Sequence, residues 1–147
     1  MKQPAAVQSG RRPMPVILKV LTGICFAMAL CLVVAAIPVP HMHYEINGHD
    51  VSYADFWKLG GGPLFVVAGI VLPLSGFGFV NRKHWGRYLC TGFFVIGSLF
   101  QFFAGLFIPV YKTDASVQLS YAVFVAVLVW YLFCKQSVKE YFSEQVG

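Results

Sequence analysis

The chain has 147 residues, of which 58% are hydrophobic and 12% charged, with a formal net charge of +5. An ordinary soluble domain carries about twice that share of charged residues, so the composition excludes one. Basic residues flank apolar blocks, where membrane topology and anionic headgroups account for the positive charge, so no nucleic-acid partner is implied.

Four apolar blocks divide the chain: 16–37, 63–80, 88–110 and 117–134. Each is long enough to cross a hydrocarbon core of about 30 Å at about 1.5 Å per residue. Too little polar sequence is left to bury four such helices in a soluble fold. The expected fold is therefore an all-α membrane protein, an antiparallel four-helix transmembrane bundle forming one domain. Nine of the eleven Lys and Arg fall in 1–19, 81–87 and 135–147, whereas Lys58 and Lys112 share the other loops with Glu45, Asp50, Asp55 and Asp114. The positive-inside rule then puts both termini in the cytoplasm, as in a bacterial inner membrane protein.

Residues 1–15, with three prolines, read as a loose cytoplasmic tail. The apolar run after Lys19 lacks a clear small-residue cleavage site, so the first span is expected to be retained rather than removed as a signal peptide. Along that span Gly23, Ala27, Cys31 and Ala35 recur every fourth residue. At that spacing they form one row of small side chains, fit either for helix packing or for a partner helix.

The loop 38–62 is the longest polar interval between spans and holds His41, His43 and His49. His41 to Ile46 alternates polar and apolar, Asn47-Gly48 is a strong hairpin turn, and His49 to Val51 returns. A two-residue turn pairs Ile46 with His49, Glu45 with Asp50 and Tyr44 with Val51. One face of this β-hairpin then carries Tyr44, Ile46 and Val51. The other carries His41, His43, Glu45 and Asp50, a set whose imidazoles and carboxylates suit zinc or copper. Ser52, with Asp55 three residues on, starts a short interfacial helix bearing Phe56 and Trp57. With Tyr44, Ile46 and Val51 these rings make a candidate docking face. Gly60-Gly61-Gly62-Pro63 ends that helix and turns the chain into the second span.

Pro73 predicts a kink in the second span, with Ser75 near the freed carbonyl. Residues 81–87 read as a tight cytoplasmic turn anchored by Arg82, Lys83 and Trp85. The third span places Gly97, Gln101 and Gly105 on one face, and Gln101 puts a side-chain amide near the centre of that span. Turning it toward another helix or a cavity spares its donors and acceptor from lipid. Residues 111–116 form a short outside loop, the fourth span shows no evident chemistry, and 135–147 reads as a short polar tail. The four cysteines lie within or at the ends of spans, which gives no disulfide framework in an outside loop.

No Asp, Glu, His or Arg lies inside an expected span, which argues against an ion-coupled transporter or a membrane haem protein. The leading expectation is a non-enzymatic protein that works by protein–protein interaction within the bilayer, through a membrane protein partner or a second copy, with lipids around it. It would be an accessory subunit, an assembly factor or an immunity-type inhibitor, and needs no cofactor. The alternatives are an extracytoplasmic zinc or copper protein using the His41/His43 loop, and an oligomeric pore or lipid-binding protein. A hydrolase built on Ser52 and Asp55 is disfavoured, because both already serve as a helix cap.

Overall fold

A computed structural model describes residues 13–37, 44–46 and 48–143. It is mostly helical with one small sheet. The elements are α1 (Val16–Ala36), β1 (Tyr44–Ile46), β2 (His49–Val51), α2 (Tyr53–Lys58), α3 (Gly61–Val80), α4 (His84–Phe107), a 3-10 turn (Pro109–Tyr111), α5 (Ala115–Cys134) and α6 (Gln136–Ser143). Helices α1, α3, α4 and α5 are long and apolar enough to span a membrane.

The most extensive contact is between α1 and α3. Among the described residues of α1, Leu18, Thr22, Cys25 and Ala29 are buried, and their spacing is that of one helical stripe. Thr22 returns its hydroxyl proton to the Leu18 carbonyl at 2.8 Å, so this polar group enters the interface satisfied. Facing residues of α3 include Ala68, Leu72, Ser75 and Phe79. Helix α3 continues through Pro73. Ser75 donates to the Val71 carbonyl at 2.8 Å, its own i−4 acceptor, and not to the carbonyl that Pro73 leaves free.

The turn between α3 and α4 is shorter than the sequence implies, because α4 starts at His84. Gly78 and Gly86 make this possible. A Cβ on Gly86 would lie 2.9 Å from the Gly78 Cα, so the two backbones meet where neither residue has a side chain. At its other end α4 stops before Pro109, which has no N–H to continue the ladder and opens the 3-10 turn instead.

The residues after α5 are not the plain polar tail expected from composition. Gln136–Ser143 form α6, whose Val138, Tyr141 and Phe142 are buried. They join Leu18, Phe79, Cys90 and Leu132 in the main core. The start of α1, the end of α3, the start of α4 and the end of α5 thus share one apolar plug. Tyr141 donates to the Phe79 carbonyl at 3.1 Å, which satisfies an acceptor at the end of α3.

A second core lies with the sheet. Tyr44, Ile46, Phe56 and Tyr111 are buried there, with Phe65, Ala104 and Ile108 packed against them. The strands are antiparallel, with Tyr44 opposite Val51, Glu45 opposite Asp50 and Ile46 opposite His49. That is the register the two-residue turn implies, and Gly48 has the positive φ (84°) such a turn needs. Ser52 caps α2 by accepting from the Asp55 amide at 3.1 Å. Gly60, at φ 95°, reverses the chain into α3. Any Cβ on Gly61 or Gly62 would lie 2.3 Å from the rings of Phe56 and Trp57 respectively, so both aromatics fold back over bare backbone.

Candidate functional site

The hairpin brings together half of the residues proposed for a metal. Glu45 and Asp50 are cross-strand partners, and both are exposed. His41 and His43 lie outside the described residues. Among the described residues, no group of three or more His, Cys, Asp and Glu is placed to hold an ion. Two carboxylates directly opposite repel, and here solvent screens them.

The apolar face of the hairpin is covered by the chain itself. Tyr44 packs on Tyr53 and Phe56, with ring centroids 5.4 and 5.1 Å apart. Phe56 meets Phe65 of α3 edge-on at 5.1 Å. Trp57 and Val51 are partly buried in the same cluster. Tyr111, from the turn after α4, donates its hydroxyl to the Leu59 carbonyl. Burial also raises the Tyr111 phenol above its ordinary pKa, which keeps it a neutral donor. Tyr44, Ile46, Val51, Phe56 and Trp57 therefore dock the loop onto α3 and the end of α4.

The row of small residues on α1 lies on the side away from α3. With Leu18, Thr22, Cys25 and Ala29 facing inward, a rotation of about 100° per residue puts Gly23, Ala27 and Cys31 on the far side. All three are exposed and Ala35 is half-buried. A Cβ added at Gly23 would meet nothing within 4 Å. Among the described residues, none covers Gly23, Ala27 and Cys31.

On α4 the three residues expected to share one packing or partner face part company. Gly105 takes the close approach of the 3-10 turn, since its Cβ would lie 3.0 Å from the Tyr111 carbonyl oxygen. At Gly97 an added Cβ would come to 3.7 Å from the Tyr121 hydroxyl. Gln101 lines a cleft between the second half of α4 and the first half of α5, together with Ser98, Gln118 and Tyr121. The sequence offered no reason to connect Gln101 with Gln118 and Tyr121. Their convergence depends on how α5 lies against α4.

Arg87, near the start of α4, is a buried cation at 7% exposure. Its Nη1 donates to the Leu132 carbonyl at 3.2 Å, and Nη2 meets Nδ1 of His84. The guanidinium carbon stands 4.6 Å from the Phe142 ring centroid and 5.3 Å from that of Phe133. A carbonyl at the end of α5 and two aromatic faces thus replace water around the charge. Cys25 of α1 and Cys90 of α4 are nearly inaccessible in the same core.

No protein-family model matches this chain, and neither does any curated protein or solved structure.

Proposed function

We propose that the protein works by protein–protein contact within the bilayer, as a non-enzymatic accessory subunit, assembly factor or immunity-type inhibitor of a membrane partner. One observation carries this reading. The side of α1 that offers the closest approach to another helix, Gly23-Ala27-Cys31, is open, while the intramolecular contact uses the opposite stripe. In a bilayer there is little hydrophobic gain from joining two helices, so association depends on close backbone approach of this kind. Large side chains beside the row, including Ile24 and Leu30, are likewise exposed and supply dispersion area to a neighbour.

In this reading the four long helices form an antiparallel bundle in a bacterial inner membrane. The end that carries Lys19, Arg82, Lys83, Lys135 and Lys139 faces the cytoplasm, and the hairpin cap faces out. The core shared by α1, α3, α4, α5 and α6 gathers those cations at one end, which supports the assignment.

Extraction at native abundance into a mild detergent, followed by size measurement and identification of co-purifying chains, tests the proposal. A particle larger than one chain in its detergent belt is expected, with a membrane protein or a second copy in stoichiometric amount. A clean monomer would refute it.

A further inference from the structure

We infer that the cleft between α4 and α5 binds a neutral amphiphile, a lipid-like molecule whose head carries carbonyl and hydroxyl oxygens. The cleft has a volume of about 400 Å³, within the range of about 300–1,000 Å³ usual for small-molecule sites. Leu99, Phe102, Val117 and Leu119 give it apolar walls, and Ser98, Gln101, Gln118 and Tyr121 bring hydroxyl and amide groups into the same space. No lining residue is charged.

Depth makes those polar groups informative. Gln101 stands six residues before the end of α4 and Gln118 three residues after the start of α5. At about 1.5 Å per residue they lie roughly 9 and 5 Å inside the helix ends, below the headgroup layer if those ends mark it. Neither amide has a hydrogen-bond partner among the described residues. At such depth an unpaired amide is costly, so each favours an occupant that pairs with it. An amide gives two donors and an acceptor, and therefore matches a carbonyl and a hydroxyl at once. A charged head would meet no counter-charge here.

A transmembrane helix fits the same space less well. Its backbone is already paired internally, which leaves the two amides only its side chains to pair with. The apolar groove between α3 and α4, about 520 Å³ and lined by residues such as Leu64, Val67, Val71 and Ile96, is a built-in contrast. It would admit an acyl chain without choosing a head. The cleft does not involve the outward face of α1, so it stands or falls apart from the proposal above.

The full chain in phosphatidylcholine nanodiscs, exposed to a diacylglycerol analogue with a photoreactive acyl chain, provides the test. A phosphatidylcholine with the same photoreactive chain runs in parallel, and labelled peptides are located by mass spectrometry. Diacylglycerol label is expected to concentrate on 98–102 and 115–122 over the α3–α4 groove. Gln101→Leu and Gln118→Leu, which suit an apolar helix and should not lower the melting temperature, are each expected to lower that label by about fivefold, the loss of one net hydrogen bond. Label spread evenly over the four helices, equal label in the variants, equal labelling by the phosphatidylcholine probe, or a cross-link from the cleft to another polypeptide would each overturn the inference.

Discussion

Arg87 ties the start of α4 to the end of α5 by donating to the Leu132 carbonyl at 3.2 Å. The bond joins residues far apart in sequence inside an apolar core, and Phe142 of α6 covers the guanidinium. Replacing Arg87 with Leu removes a charge-assisted bond and a cation–π contact, for an expected loss of about 2–3 kcal/mol. Lys keeps the charge but lacks the planar fork, so Arg87→Lys should lose about half as much. Equilibrium unfolding in micelles, followed by tryptophan fluorescence, measures both. Equal stability of all three proteins would show that the buried guanidinium contributes nothing net.

The packing of α6 makes a second prediction. Phe142 is fully buried, so Phe142→Ala should cost about 3–4 kcal/mol. Tyr141→Phe deletes the bond to the Phe79 carbonyl while retaining the ring, and should cost about 1 kcal/mol. In Phe142→Ala the segment 136–143 should also be cleaved by protease well before the rest of the chain. A tail that is equally resistant in the variant would argue that α6 is held by other contacts.

Tyr111 predicts a pH dependence for the hairpin cap. Burial raises its pKa, so the folded state holds the phenolic proton more tightly than the unfolded chain does. The resulting stability is complete below the ordinary tyrosine value near 10 and is lost as pH rises through the higher folded value. Below that range Tyr111→Phe should melt lower than wild type, because it lacks the bond to the Leu59 carbonyl. Above it the difference should shrink and then reverse. A difference that stays constant to high pH would contradict the assignment.

Glu45 opposite Asp50 separates two readings of the loop. As a bare carboxylate pair they repel, and Asp50→Asn should stabilise the cap by about 0.5 kcal/mol, less at high salt. If His41, His43, Glu45 and Asp50 hold zinc or copper, Asp50→Asn should instead lower the metal content of the purified protein, as should His41→Ala with His43→Ala. Equal metal in wild type and both variants eliminates the metal reading.

Local chemistry is what the sequence made legible. The hairpin register follows from a turn that tolerates few residues, and the start of α2 from Ser52 and Asp55, three residues apart. Helix α6 was hidden because its apolar face is only Val138, Tyr141 and Phe142 in a segment that is otherwise polar. Their i, i+3, i+4 spacing was the available signal. The burial of Cys25 and Cys90 in one core and the placing of Gln101 and Gln118 in one cleft depend on which helix lies beside which, and no short-range pattern encodes that. The early start of α4 was masked because 81–87 carries the charges of an interfacial turn, while Gly78 and Gly86 allow the helices to close sooner.

The central claim is that the outward row on α1 receives a partner helix, and Gly23→Leu combined with Ala27→Leu tests it most directly. Both residues are exposed, and the space around Gly23 is open, so the fold itself should be at least as stable as wild type. The measurement is the size and composition of the particle extracted at native abundance, wild type beside the double variant. The account predicts an assembly for wild type and a lone chain with an undiminished melting temperature for the variant. An assembly that survives both substitutions intact would contradict it.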